Sequence, residues 1–456
     1  MSRSRLFRAA LVSLLVAGSA LLQQPSSVAI AAGQVLPLAA CTPAPTGIPA
    51  NAGTGQFGPL ARHIYTLRLP VGDTLPPGSA IFYVFSVFDT GSTVVVINNQ
   101  PAGFSDADLL QLCSPTSNCD TSGATAMPPT RDPNVPASLN VRLWGLGATI
   151  PPGNGAPLDN PQAETLDVQV RPSPTAIPTL IGAPVAARTV AHIDYGTIIT
   201  RTYDFGGGPF DFSAPDITFY NAGDAAIPTV PFTFRLLPRG NFDHALDGAS
   251  IGPRFFLDTA VVKNGTHTIT NNLTTSAIMY DTGNTTTSVT EEAARALGID
   301  PINDTPVDCF DADTANGRVT LKGFMIDKFE MTTADGLNRY VIHNPLIYVE
   351  PDLQNPQRPA FPDGVEVVMG SNYFAPGKVL FDGPGQALRL YTALSAADTN
   401  EDGRVDCADL AIVRASFGKR RGQAGYDERA DVNRDGIVNI TDLTFVSRQL
   451  PAGTRC

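Results

Sequence analysis

The sequence predicts a mostly β protein: a two-lobed β body followed by a small α-helical module at the C-terminus. Three observations carry this. The 456 residues include 41 glycines and 39 prolines but only 16% charged residues, a balance that excludes a coiled coil or helical bundle and favours a loop-rich β chain. Residues 32–392 read as short Val/Ile/Thr/Phe/Tyr runs cut by Gly, Pro and Asn, with little helical periodicity. The last sixty residues instead hold two acidic twelve-residue patterns, each running into apolar residues at helical spacing. At about 150 residues per domain the length suggests roughly three domains.

The N-terminus comes first. Arg3, Arg5 and Arg8 precede an apolar run at residues 9–22, and Ala29-Ile30-Ala31 is a small-x-small cleavage pattern. Residues 1–31 are therefore expected to be a signal peptide; the run is short for a bilayer span, and no later run is long enough to cross. Leu38-Ala39-Ala40-Cys41 has the form of a lipobox, although the apolar run ends well upstream of it. A net charge of −12 without a basic block argues against duplex nucleic acid as a partner.

The body carries an internal repeat. FSVFDTGSTVVVI (85–97) and SAIMYDTGNTTTSV (276–289) both run an apolar strand into Asp-Thr-Gly, then a polar residue and a β-rich stretch. Asp89 and Asp281 are 192 residues apart. A second element follows each: IGAPVAARTVAHID (181–194) aligns without a gap to MGSNYFAPGKVLFD (369–382). The body thus reads as a duplicated β lobe, at residues 32–225 and 226–392, each half supplying one Asp-Thr-Gly loop.

On these residues the stretch 60–392 resembles the pepsin-like (retropepsin-type) aspartic peptidases. The resemblance implies two lobes about a pseudo-twofold axis with a cleft between them. It implies that Asp89 and Asp281 form a catalytic dyad sharing one proton, because adjacent carboxylates cannot both ionise. The ionised member would activate a water and the protonated member would polarise a peptide carbonyl, with no cofactor required for catalysis. Gly91 and Gly283 would let the loops approach closely. Thr90 and Thr282 would cross-link the loops through their hydroxyls. Ser92 and Asn284 stand where the family uses a Ser or Thr to bond the outer carboxylate oxygens. Trp144, Gly145 and Gly147, in VRLWGLGATI, match the family's flap, with Trp in place of its usual Tyr and residues 165–170 completing the hairpin.

At the C-terminus, residues 398–409 and 431–442 place oxygen-bearing side chains at loop positions 1, 3, 5, 9 and 12 and glycine at position 6. The first set is Asp398, Asn400, Asp402, Asp406 and Asp409, with Gly403; the second is Asp431, Asn433, Asp435, Asn439 and Asp442, with Gly436. Position 7, Arg404 or Ile437, offers its backbone carbonyl. This is a donor set for Ca²⁺, a hard cation that takes six to eight oxygens, so two Ca²⁺ are expected. Each loop leads into a helix with apolar residues at i, i+3 and i+7: Leu410, Val413 and Phe417, then Leu443, Val446 and Leu450. Residues 397–456 resemble a type I dockerin, which implies a cohesin-like or cell-surface partner. Loop positions 10 and 11 are Cys407-Ala408 and Ile440-Thr441 rather than the Ser-Thr pair common there.

Export permits disulfides. Six cysteines allow fifteen pairings; proximity suggests Cys113–Cys119 and Cys407–Cys456, leaving Cys41–Cys309. The five histidines are scattered and no Gly-x-Ser-x-Gly elbow exists. The sequence reading is a secreted or cell-surface aspartic endopeptidase acting on polypeptides, most active in acid. The alternative is an inactive binding relative displayed through the C-terminal module.

Overall fold

The computed structural model describes residues 41–43, 47–68, 82–98, 119–120, 138–144, 165–173, 179–203, 209–239, 252–314, 317–351 and 365–456. The expected signal peptide, Cys113, Gly145 and Gly147 lie outside these residues. The described chain is mostly β, with short helices in the body and two longer ones at the C-terminus. Among the described residues no helix is long and apolar enough to cross a membrane.

Each Asp-Thr-Gly loop sits at the head of the same local arrangement. The strand Phe82–Phe88 leads into Asp89, and Val95–Asn98 leaves the loop. The strand Leu180–Ile181 lies between them, parallel to the first and antiparallel to the second. The second half repeats this with Ala277–Tyr280 entering, Ser288–Thr290 leaving and Val365–Met369 between, again parallel to the first and antiparallel to the second. Central strands of this kind are covered on both faces, which is why they read as near-continuous apolar runs such as AIMY and VEVVM.

The first-half strands form a seven-stranded sheet that curls back on itself, because Arg62–Arg68 pairs with both Phe82–Phe88 and Ser138–Trp144. A twelve-stranded sheet runs from Asp308–Thr314 at one edge to Phe210–Asn221 at the other. Next to the Phe210–Asn221 edge the two copies of the second repeat pair with each other: Asp194 faces Lys378, His192 faces Leu380 and Val190 faces Asp382. An antiparallel register of a sequence element against its own duplicate is what a twofold relation requires. Residue 225 falls in the turn between Phe210–Asn221 and Phe232–Arg239. The strands Thr189–Tyr203 and Phe210–Asn221 therefore extend a sheet built largely from the second half.

One apolar core spans both halves, joining Phe88, Val95 and Ile181 to Ile278, Tyr280, Val289, Met369 and Phe381. Tyr280 stacks on Phe381 at 5.8 Å between centroids, and Phe88 meets the same ring edge-on at 6.2 Å. Such rings bury large apolar areas and fix the halves in register. Cys41 bonds Cys309, tying the start of the described chain to the strand Asp308–Thr314, and Cys407 bonds Cys456. Both pairs are those that proximity and elimination suggest. A lipidated Cys41 is incompatible with the first.

The C-terminal module has its own core of Ala397, Leu410, Val413, Ala430, Val438 and Val446. Its helices are Cys407–Ala415 and Ile440–Gln449. Phe417 departs from the expected apolar stripe: the helix ends at Ala415, Gly418 turns the chain at φ 78°, and Phe417 is 47% exposed.

Candidate functional site

The two Asp-Thr-Gly loops meet tip to tip. Thr90 Oγ1 donates to the Tyr280 carbonyl at 3.0 Å and accepts the Thr282 N–H at 3.1 Å. Reciprocally, Thr282 Oγ1 donates to the Phe88 carbonyl at 2.6 Å and accepts the Thr90 N–H at 3.1 Å. Both threonines are fully buried. Each thus satisfies backbone groups of the opposite loop that no sheet ladder can reach. The loop backbones are anchored alike. The Asp89 N–H donates to the Ile181 carbonyl at 2.9 Å, and the Asp281 N–H to that of Met369 at 3.0 Å. A Cβ at Gly182 would collide with the carbonyls of Ser92 and Val94, and one at Gly370 with those of Asn284 and Thr286. The glycine of the second repeat is therefore what lets its strand close on the aspartate loop.

Gly91 and Gly283 bring the carboxylates together. A Cβ on Gly91 would strike the Asp281 carboxylate, and one on Gly283 that of Asp89. Asp89 Oδ1 accepts the N–H groups of Gly91 at 2.9 Å and Ser92 at 2.8 Å. Asp281 Oδ1 accepts those of Gly283 at 2.8 Å and, across the loops, Gly91 at 3.2 Å. The Gly91 N–H thus reaches both carboxylates, and like charges held this close favour one proton between them. Burial raises both above the ordinary carboxylate range; Asp281 is raised furthest, with the Asp89 charge as its second cause.

Sequence reasoning missed three neighbours. Arg254 opens the strand Arg254–Leu257, and its Nε donates to the Gly91 carbonyl at 2.8 Å. Its guanidinium lies within electrostatic reach of both carboxylates and opposes in part the rise that burial causes at Asp89. Tyr195 and Tyr280 are buried close to Asp281, and burial pushes both hydroxyls up, so they stay neutral. No motif marks Arg254; an arginine heading an otherwise apolar strand is its only trace.

The expected roles of Ser92 and Asn284 are not those observed. Ser92 Oγ donates to the Val94 carbonyl at 2.8 Å. Asn284 Oδ1 accepts from the N–H of Thr286 at 3.2 Å, and its Nδ2 lies 3.5 Å from Ser288 Oγ. Both side chains close turns within their own loops, as short polar side chains do where a backbone donor or acceptor is free two residues on. Trp144 ends the strand Ser138–Trp144, which pairs antiparallel with Thr165–Ser173, Trp144 facing Thr165, so the two strands of the expected hairpin are paired. The flap glycines lie outside the described residues, as does Cys113 of the expected Cys113–Cys119 pair.

The calcium loops share one geometry. Gly403 and Gly436 take φ of 87° and 85°, which only glycine adopts without strain. Asp398 Oδ2 accepts the Gly403 N–H at 2.8 Å, and Asp431 Oδ2 the Gly436 N–H at 2.8 Å. Asp406 and Asn439, at position 9, cap the two helices. Asp409 and Asp442, at position 12, complete each capping box. Asp398, Asp409, Asp431 and Asp442 are buried. Burial raises Asp398 and Asp442, and Asp409 and Asp402 raise the first further, as Asp431 does the second. Converging, desolvated carboxylates call for a cation. Among the described residues no three His, Cys, Asp or Glu side chains form a closed cage, since these oxygens are turned onto backbone N–H groups. The donor set, five side-chain oxygens and one carbonyl per loop, fits Ca²⁺.

Residues 396–451 match the family described as Dockerin type I domain. Domains of this type bind calcium. The dockerin module therefore accounts for both acidic loops. A comparison with curated proteins found no match. Among solved structures the chain is similar to one titled edgp, at 11% identity over 74% of this chain and 96% of that one, with a TM-score of 0.33. It is similar also to basic 7S globulin from soybean, at 10% identity over 74% and 98%, with a TM-score of 0.32.

Proposed function

We propose that the body is an aspartic endopeptidase with Asp89 and Asp281 as its dyad. We propose too that the dockerin module, carrying two Ca²⁺, attaches it outside the cell to a cohesin-like partner. The observation that carries the catalytic reading is the reciprocal Thr90–Thr282 linkage, which holds the two carboxyl groups about one shared N–H, that of Gly91. Asp89 accepts two short backbone N–H bonds and feels Arg254, so it is the better ionised member; Asp281 keeps the shared proton. Asp89 would take a proton from a water as the water oxygen attacks the peptide carbonyl carbon. Asp281 would donate its proton to the carbonyl oxygen, giving a neutral tetrahedral diol. Return of protons through the same pair would release the amine.

In this reading Asp398, Asn400, Asp402, Asp406 and Asp409, with the Arg404 carbonyl, hold one Ca²⁺. Asp431, Asn433, Asp435, Asn439 and Asp442, with the Ile437 carbonyl, hold the other. Bound calcium supplies the positive charge that these buried carboxylates lack.

The test is a pH profile for cleavage of an unfolded polypeptide. A bell with its maximum in acid is expected, falling on the alkaline side as the pair loses its shared proton. A rate still rising between about pH 5 and pH 9 contradicts the dyad. One observation favours a second reading, a binding protein displayed by the dockerin: the side chains of Ser92 and Asn284 bond within their own loops and not to the carboxylates.

A further inference from the structure

The dockerin module does not hang from a free tether. The segment before it, Leu394–Ser395, is the edge strand of a five-stranded sheet, with Ser395 facing Asn338 and Leu394 facing Arg339. The Ala396 N–H continues that pairing to the Leu337 carbonyl at 2.8 Å. Both calcium loops then face the same sheet. Glu401, the fourth residue of the first loop, lies 2.9 Å from Lys328, 3.4 Å from Arg339 and 3.1 Å from His343 Nε2. Arg434, the fourth residue of the second loop, lies 3.0 Å from Glu330. Arg339 Nη2 also donates to the carbonyl of Asp398, the first residue of the first loop, at 2.7 Å. Lys263 reaches from the sheet to Glu428 of the module at 2.9 Å.

The centre of this joint is desolvated, while His343 and Glu428 at its rim are exposed. The Glu330 side chain is 3% exposed and that of Glu401 8%. Burial works to raise Glu330, but Arg434, Lys328 and Lys263 more than offset it and hold the carboxyl down to about 2. Buried, mutually paired charges of this kind lose much when one partner leaves. Glu401 and Arg434 both sit at φ of 60°, a left-handed conformation that non-glycine residues adopt at some cost and that surrounding contacts must hold. Each is flanked by two of the proposed calcium donors, Asn400 and Asp402 or Asn433 and Asp435. Whatever orders the loop therefore orders the key.

We propose that the dockerin module is a fixed limb of the body, keyed through Glu401 and Arg434 into a charged socket on the five-stranded sheet, so that calcium loading of the loops and the stability of the body are coupled. The partner that fits the module's loop face is thus the chain's own body, and an external partner engages some other face. The coupling is independent of whether the body cleaves peptides. It is reciprocal: calcium stabilises the body, and the intact socket tightens calcium.

The single tryptophan, Trp144, lies in the body, so its fluorescence follows unfolding of the body and not of the module. In the full chain, calcium is expected to raise the Trp144 transition by about 2 °C or more. In the double variant Glu401→Gln/Arg434→Gln, neither position being a loop donor, that rise should disappear. Calcium affinity by titration calorimetry should weaken about fivefold or more. Should the double variant fail to fold, Glu330→Gln changes the socket from the body side and leaves the module's sequence intact, with the same expectation. A Trp144 transition indifferent to calcium in the parent overturns the proposal, as does a variant that responds as fully as the parent.

Discussion

Burial raises Asp89, and Arg254 is one of the groups that oppose that rise. Its positive charge lowers Asp89, so removing it lets Asp89 take up its proton at higher pH. Arg254→Met is expected to move the acid limb of the cleavage profile upward by up to about one unit. Arg254→Lys, which keeps the charge but not the Nε bond to Gly91, should retain most of the parent's limb. Equal profiles for parent and Met variant contradict this role. Thr90 and Thr282 are a second case, because each buried hydroxyl serves two backbone groups of the opposite loop. Thr282→Val strands both and should cost about 1–3 kcal/mol in denaturant unfolding. It should also lower the cleavage rate, since the carboxylates then lose their common frame. The aspartates, the glycines beside them and the threonines were legible because Asp-Thr-Gly is written twice and that repeat carries the resemblance to the aspartic peptidases. Arg254 was not, for its contact is made by a strand far along the chain with no local pattern. Nor were the contacts of Ser92 and Asn284, since one polar residue can bond either an aspartate or its own turn, and sequence does not choose.

At the scale of elements, the apolar strand Leu346–Glu350 is buried along its whole length and ends on a carboxylate. Burial lifts Glu350 from an ordinary 4.5 to about 7. A carboxyl raised on folding favours the native state fully below its unfolded value, and that contribution is lost as pH rises through the folded value. The body should therefore lose on the order of 2–3 kcal/mol between about pH 4.5 and pH 7 from this group alone. Glu350→Gln should flatten that dependence and raise the melting temperature at neutral pH while changing little near pH 4. A variant no more stable than the parent at pH 8 refutes it. The strands carrying the repeat were legible as apolar runs, and the module's helices as a stripe of Leu410, Val413, Leu443 and Val446. The stripe misplaced Phe417 because periodicity does not see where a helix stops; the break follows from the left-handed Gly418.

For the whole molecule, duplication is the organising fact. The second repeat pairs with its own copy within the twelve-stranded sheet, the two Asp-Thr-Gly loops meet through Thr90 and Thr282, and one core serves both halves. Duplication and the two calcium loops could be read directly, as each is a spacing written twice. The joint between body and module could not: Glu401, Arg434, Lys328 and Glu330 look like ordinary surface charges until the fold brings them together. Sequence alone leads one to expect that removing calcium unfolds the module and leaves the body untouched, whereas the buried joint predicts that the body responds as well. The central claim is that the two Asp-Thr-Gly loops make one catalytic pair. Its most direct test is cleavage of an unfolded protein at about pH 4 by the parent chain, Asp89→Asn and Asp281→Asn. Cleavage by the parent, lost in both variants while they remain folded, is the predicted result. A parent that cleaves nothing across the acid range, or a variant that retains the parent's rate, contradicts it.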